Sequence, residues 1–255
     1  MKLIFRSFNI ILFLLLSLFT SHVSGSEIRV AVASNFLKPL KHIARIYEQE
    51  TGERVFISSG STGKLYAQIV NGAPYDVFLA ANSREPQRLE KEGHASYGSR
   101  FTYARGRLVL WDPKGSYQYS TLEQVLKMAD YKRLSLANPL TAPYGEAAFN
   151  VLKNIKMERI QQKKILRGEN ISQAFQYLAS GAADIGFIAL SQIRASGKKL
   201  PGHYWEVNEN LHQDILQQAV LLTNARQKTQ GKKFLNYLKS SKGQEMIETF
   251  GYGLL

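Results

Sequence analysis

The feature that most constrains the fold is a junction between an apolar, strand-like run and a helical pattern, which the chain repeats four times. The junctions lie at Ser34 and Asn35, at 58–65, at 138–145 and at 167–170. Strands and helices that alternate in this way predict an α/β fold, in which helices cover both faces of a mostly parallel sheet. Ligands of such sheets bind beyond the carboxyl ends of the strands, which is where these junctions fall.

The second junction has the composition of an anion-binding turn. It reads Ser-Ser-Gly-Ser-Thr-Gly-Lys-Leu, between a predicted strand at 54–57 and a predicted helix at 65–70. Serine and threonine are favoured at helix starts, glycine lets a ligand approach the backbone, and the first amide groups of a helix attract negative charge. The phosphate-binding P-loop is excluded, because Ser58 replaces its first glycine and Leu65 follows the lysine. An ordinary capped helix and an anion cradle both fit this junction alone.

The other three junctions share this layout, with a strand-like run before them and a helical spacing of apolar residues after them. The predicted strand and helix on either side are 28–33 and 36–50, 133–137 and 146–155, and 164–166 and 171–181. Two junctions in each half of the chain predict two similar lobes that face each other across a ligand-binding cleft.

The order of the elements predicts how the chain divides between these lobes. The first lobe comprises 26–104 and a late return of the chain at 220–255, and the second lobe comprises 105–219. The two crossings, near 103–107 and near 217–220, are expected to form a hinge.

The amino terminus predicts export. Residues 1–25 combine a basic start at Lys2 and Arg6, an apolar run at 10–19 and small residues up to Gly25, which is the layout of a cleaved secretory signal. The apolar run is too short for a permanent membrane anchor. The chain has no cysteine, and so neither a disulfide framework nor the cysteine of a lipid anchor. We therefore expect a soluble periplasmic protein that is not inserted in the membrane after processing.

The chain is basic, with a formal net charge of +13, or +11 without the two basic residues of the signal. Such a surplus fits nucleic acid, an acidic surface or an anionic ligand. The basic residues are spread along the chain without interleaved aromatic residues, and the chain is predicted to be exported. We therefore expect a solvated basic surface and no nucleic-acid partner.

Five segments, in this order along the chain, carry a resemblance to a known family. They are 31–36 (AVASNF), 60–69 (GSTGKLYAQI), 72–78 (GAPYDVF), 142–145 (APYG) and 250–253 (FGYG). With these segments the chain resembles the periplasmic molybdate-binding proteins that feed ABC transporters, and the similarity runs through the whole predicted mature chain.

The resemblance implies a two-lobed periplasmic-binding-protein fold that closes on molybdate or tungstate and passes it to an ABC permease. We expect a monomer without a cofactor or a catalytic residue. Some family members add a tyrosine hydroxyl at the position of Ala189, which this chain lacks. The implied oxyanion contacts are Ser34 with Asn35, Thr62 with Ser61 beside it, the backbone at Tyr144 and the amide of Ile171. Of these six residues, Ser34, Thr62, Tyr144 and Ile171 are implied to hold the molybdate directly.

Donor chemistry agrees with this set of residues. Molybdate is a dianion without a proton at neutral pH, so its site needs hydroxyl and amide donors and helix N-termini. A protonated phosphate would also require a carboxylate acceptor, and the fourth junction ends in Asn170 with Glu169 before it. Lys64 is expected to be solvated, and Asp76 is expected to brace or cap a strand.

The sequence also bears on two other classes of protein. An exported hydrolase is disfavoured, because the chain has neither Gly-x-Ser-x-Gly nor His-Glu-x-x-His and its histidines form no ligand-like cluster. A ferric-iron clamp would use tyrosine phenolates, but of thirteen tyrosines only Tyr144 lies at a predicted junction. Sulfate or another small ligand remains an alternative within the same clamp architecture.

Overall fold

The computed structural model describes residues 27–157, 164–195 and 200–253. The predicted signal at 1–25 lies outside the described residues. The strands are β1 (Glu27–Ala33), β2 (Arg54–Gly60), β3 (Val77–Leu79), β4 (Phe101–Gly106), β5 (Leu108–Asp112), β6 (Leu134–Ala137), β7 (Ile165–Gly168), β8 (Ile185–Ala189), β9 (His203–Glu206) and β10 (Ile215–Leu221). The α-helices are α1 (Leu37–Thr51), α2 (Thr62–Val70), α3 (Arg84–Lys91), α4 (Leu122–Met128), α5 (Pro143–Asn154), α6 (Ile171–Ala179), α7 (Leu190–Arg194), α8 (Lys228–Lys239) and α9 (Ser241–Thr249).

These strands form two sheets with the same plan. The first has the order β2-β1-β3-β10-β4 and the second the order β7-β6-β8-β5-β9. In each sheet the fourth strand, β10 or β5, is antiparallel to both of its neighbours, and the other pairs are parallel. Four strands of each sheet therefore run in one direction, and their carboxyl ends share one edge.

Helices pack on both sheets through periodic apolar faces. Helix α1 shows the rule: Leu40, Ile43 and Tyr47, spaced by three and four residues, are buried against the first sheet. It ends at Gly52, whose φ of 71° lies in the left-handed region that glycine adopts without strain. A separate apolar core lies between the second sheet and its helices, with Val125 and Val151 fully buried.

The structure corrects several predicted element bounds. Strand β2 continues to Gly60 and α2 begins at Thr62, so the predicted loop of the second junction is reduced to Ser61. Helix α5 begins at Pro143, because proline is well suited to a first helical turn and the helix starts inside the predicted loop. Strand β4 and the short helix α7 were not predicted as elements.

The lobe limits drawn from the sequence stay a prediction. The segments 105–106 and 215–219, which those limits assign to the second lobe, belong to β4 and β10 of the first sheet, where 215–219 pair with 101–106. The chain passes from the first sheet to the second at Arg107, and it returns between β9 and β10. Among the described residues, every helix is too short or too polar to cross a bilayer.

Candidate functional site

The four junctions meet at one small cavity between the two sheets. The cavity has a volume of about 10 Å³, a space on the scale of one water-sized group. Its lining consists of Ala33, Ser34, Asn35, Gly60, Ser61, Thr62, Ala81, Ala142, Pro143, Tyr144, Asn170 and Ile171. All six residues predicted to contact an oxyanion are in this set, and none of the six is more than 7% exposed. The structure therefore brings together junctions that lie up to 137 positions apart in the sequence.

The first wall of the cavity, formed by the ends of β1 and β2, presents hydroxyl groups. Ser34 begins a single 3-10 turn before α1, and Ser61 lies between β2 and α2. Ser61 Oγ is buried and has no hydrogen-bond partner among the described residues. Thr62 Oγ1 accepts a hydrogen bond from the Ala81 N–H at 3.1 Å, which leaves the threonine O–H as a donor.

The second wall presents backbone amides at the starts of α5 and α6. Pro143 is the first residue of α5 and has no N–H, so Tyr144 supplies the first amide of that helix. At α6, Asn170 Oδ1 accepts from the N–H groups of Ser172 (3.0 Å) and Gln173 (3.1 Å). The amide of Ile171 precedes both, and the first amides of a helix have no carbonyl partner within it.

The electrostatic character of the cavity follows from these groups. Its lining contains no acidic and no basic side chain. The N-termini of α2, α5 and α6 carry partial positive charge, because their amide dipoles are aligned. The nearby carboxylates are paired with basic residues: Glu169 Oε1 lies 2.7 Å from Lys64 Nζ, and Glu146 Oε2 lies 3.5 Å from Arg84 Nη1. The cavity is therefore suited to a small anion that has no proton to donate.

The Asn35 carboxamide is directed away from the cavity and into a buried network. Its Nδ2 donates to Gln217 Oε1 (2.8 Å) and to Tyr252 Oη (2.9 Å). A carboxamide nitrogen has two hydrogens, and these two bonds use both. Any donation from Asn35 to an anion therefore falls to its backbone N–H.

Gln217 is the centre of this network, and it is not among the site residues predicted from the sequence. It is fully buried on β10; its Oε1 also accepts from Tyr103 Oη (3.0 Å), and its Nε2 donates to Tyr144 Oη (3.2 Å). It thereby connects Asn35 of the first wall with Tyr144 of the second. A Cβ atom at Gly106 would overlap the Tyr144 hydroxyl and lie 2.8 Å from Gln217 Nε2, so this close approach requires glycine.

Ser191 and Tyr252 extend the network across the two sheets. Tyr252 Oη lies 3.0 Å from Ser191 Oγ and 3.0 Å from the carbonyl oxygen of Asn35. Ser191 Oγ donates a hydrogen bond of 3.2 Å to the same carbonyl oxygen. Burial raises the pKa of Tyr103, Tyr144 and Tyr252 well above the usual value for a phenol. All three side chains are therefore neutral hydrogen-bonding groups.

Two further residues singled out in the sequence have structural partners. Asp76 Oδ2 accepts from the Arg29 N–H (2.8 Å) and Oδ1 from the Gln227 N–H (2.9 Å), so Asp76 braces a strand as predicted. Lys64 is half-exposed, as predicted, but it also forms the ion pair with Glu169. In the described part of the chain, no group of three or more His, Cys, Asp or Glu side chains could hold a metal ion.

Two similar α/β lobes with a small ligand cavity between them define the class of two-lobed binding proteins. The family model described as bacterial extracellular solute-binding protein matches residues 28–253. The chain is 46% identical to the molybdate-binding protein ModA of Azotobacter vinelandii, over 90% of this chain and 91% of the relative. It is 38% identical to ModA of Rhodobacter capsulatus, over 90% and 89% of the two chains.

A solved structure agrees with these relatives. The periplasmic molybdate-binding protein of Azotobacter vinelandii superimposes with a TM-score of 0.85 at 40% sequence identity, covering 89% of this chain and 99% of the other. The chain therefore belongs to the bacterial extracellular solute-binding proteins, in the branch of the molybdate-binding proteins ModA. The two-lobed fold and the family resemblance inferred from the sequence are both confirmed.

Proposed function

We propose that this protein captures molybdate or tungstate in the periplasm, in the cavity between its two walls, and delivers it to an ABC permease. The observation that carries the proposal is the small, donor-lined cavity, in which the buried Ser61 hydroxyl has no partner among the described residues. A buried polar group without a partner costs free energy, and a bound oxyanion would supply the missing acceptor.

Each wall has its own part in this binding. Ser34 and Thr62, with Ser61 beside them, donate hydroxyl hydrogens to the anion oxygens. Tyr144 and Ile171 donate backbone amides from two helix N-termini, whose dipoles favour negative charge. Asn35 contributes through its backbone, because its carboxamide is engaged elsewhere. Capture makes and breaks no covalent bond, so the role proposed is transport and not catalysis.

The lining also discriminates between anions. A protonated phosphate needs an acceptor for its hydrogen, and the lining holds no carboxylate. Ferric iron prefers anionic oxygen ligands, whereas burial raises the pKa of the Tyr144 phenol, which already accepts a hydrogen bond from Gln217. Sulfate is the second candidate, because it has the charge and acceptors of molybdate and is smaller, and the cavity is small.

The location and partners rest on the relatives and on the amino terminus. The solved relative is named a periplasmic molybdate-binding protein, and residues 1–25 have the layout of an export signal. The proposal places the mature chain in the periplasm as a monomer, with an ABC permease as its membrane partner and no cofactor of its own.

A thermal-shift screen tests the ligand. The protein is first unfolded in denaturant and refolded in anion-free buffer, so that co-purified ligand is removed. A ligand that binds only the folded state at a hundredfold excess over its Kd stabilises it by about 2.7 kcal/mol, which raises Tm by roughly 5 to 10 °C in a chain of this size. We expect this rise with molybdate and tungstate.

Sulfate, phosphate and ferric citrate complete the screen at matched concentration and ionic strength. A rise in Tm with sulfate that exceeds the rise with molybdate would assign the site to sulfate. A rise with ferric citrate alone would refute an oxyanion site. Calorimetric titration of each positive anion then gives its affinity and stoichiometry, which we expect to be one per chain.

A further inference from the structure

The predicted contact residues of the cavity are deeply buried, and this has a consequence for ligand entry. Its walls come from the two different sheets, and the predicted contact residues are between 1% and 7% exposed. An anion larger than a water molecule reaches donors this deeply buried only if the walls separate. Any direct contact between the walls must then break when the ligand enters and re-form around it.

A backbone hydrogen bond joins the two walls beside the cavity. The Gly63 N–H donates to the Thr141 carbonyl at 2.9 Å. Gly63 is the second residue of α2, and Thr141 belongs to a tight turn before α5. In that turn the Asn138 carbonyl accepts from the Thr141 N–H (3.3 Å) and Asn138 Oδ1 from the Leu140 N–H (3.1 Å), which holds the Thr141 carbonyl towards α2.

The approach at Gly63 leaves little space for a side chain. A Cβ atom there would lie 3.3 Å from both the Cα and the carbonyl oxygen of Thr141, closer than ordinary van der Waals contact. The backbone of Gly63 is helical, so alanine meets no conformational strain at this position and is the better helix former. Space against the opposite wall, and not backbone conformation, accounts for glycine here.

We propose that Gly63 and Thr141 form a latch that holds the two walls together around the bound anion, an inference that rests on the proposed function. Gly63 does not line the cavity, and it is a positioning residue that sets affinity through closure. The ion pair between Lys64 and Glu169 joins the same two walls one residue further along, at half-exposed side chains where such pairs contribute little.

The substitution Gly63→Ala distinguishes an effect on closure from an effect on folding, because it is expected to lower the affinity for molybdate without lowering the Tm. We expect the Tm of the ligand-free variant to equal or exceed that of the wild type, since alanine favours the helix. We expect its affinity for molybdate to fall by roughly fivefold to a hundredfold, because overpacking opposes closure. Stopped-flow measurement should show most of the loss in a faster dissociation rate, and Gly63→Val should lose more.

The matched control is Ala67→Gly, an exposed position four residues further along the same helix. It should lower Tm and leave molybdate affinity unchanged. Wild-type affinity in both Gly63→Ala and Gly63→Val would overturn the latch while the proposed function stands. Absence of molybdate binding by the wild-type protein in the same titrations would overturn the proposed function and the latch together.

Discussion

The two walls of the cavity offer the same chemistry by different means. The first wall presents side-chain hydroxyls at the ends of β1 and β2, with Ser34, Ser61 and Thr62 buried. The second wall presents backbone amides at the starts of α5 and α6, at Tyr144 and Ile171. Donors of the first wall therefore depend on residue identity, whereas donors of the second wall depend on where a helix begins.

The largest expected effect is the loss of a hydroxyl from the first wall. Ser34→Ala and Thr62→Ala should each weaken molybdate binding about tenfold to a hundredfold, because a hydrogen bond to a charged group contributes roughly 1.5–3 kcal/mol. Calorimetric titration measures the change.

Thr62→Ser is the matched control, since it keeps the hydroxyl that accepts from Ala81 and should retain most of the affinity. Unchanged affinity in both alanine variants would remove Ser34 and Thr62 from the site and erase the contrast between the walls.

The next effect is expected at Gln217, which contacts residues of both walls. Gln217→Leu leaves Asn35, Tyr103 and Tyr144 each without one hydrogen-bond partner in a buried network. A buried polar group without its partner costs about 1–3 kcal/mol. We expect the free energy of unfolding, measured with urea, to fall by at least that amount, and molybdate affinity to fall with it.

Gln218→Leu is the control on the same strand, because Gln218 bonds Thr102 and Arg100 and no residue of the cavity. It should lower stability without changing affinity. Equal losses of affinity in the two variants would show that Gln217 acts through general stability and not through the walls.

The smallest effect on binding is expected from a side chain of the second wall. Ile171→Val should cost about 0.5–1.5 kcal/mol of stability through lost burial. Its molybdate affinity should stay within about twofold of the wild type, because the amide donates and the side chain does not.

Asn170→Ala provides the contrast, since it removes the acceptor that holds the first turn of α6. It should weaken molybdate binding more than Ile171→Val does, as calorimetry would show. The reverse order would mean that the Ile171 side chain, and not the helix start, determines the second wall.

Local patterns were sufficient to find the residues of the first wall. Strand ends and helix starts are encoded within a few residues by apolar spacing and by capping side chains. Ser34, Ser61 and Thr62 were accordingly found from the junctions, and Asp76 was expected to brace a strand, which its bonds to Arg29 and Gln227 confirm. The positions of Tyr144 and Ile171 came from the family resemblance, and both lie at helix starts.

Long-range pairing was not accessible in the same way. Gln217 lies 182 positions from Asn35 and 73 from Tyr144, and Tyr252 lies 217 from Asn35. Nothing in the spacing of these residues predicts that they share one network. Strand β4 lies where the sequence predicts only a crossing, because its antiparallel pairing with β10 spans more than a hundred residues and leaves no local signal.

The sequence by itself determined the four junctions, the division into two similar α/β halves and the scarcity of carboxylates at the junctions, because these depend on spacing and composition over short segments. Only the tertiary structure decided which donors face the cavity and which form hydrogen bonds with other buried side chains. It turned the Asn35 carboxamide towards Gln217 and brought Gly63 against Thr141. The physical reason is that contacts between the two lobes, and not the local chain, set the distance between the two walls.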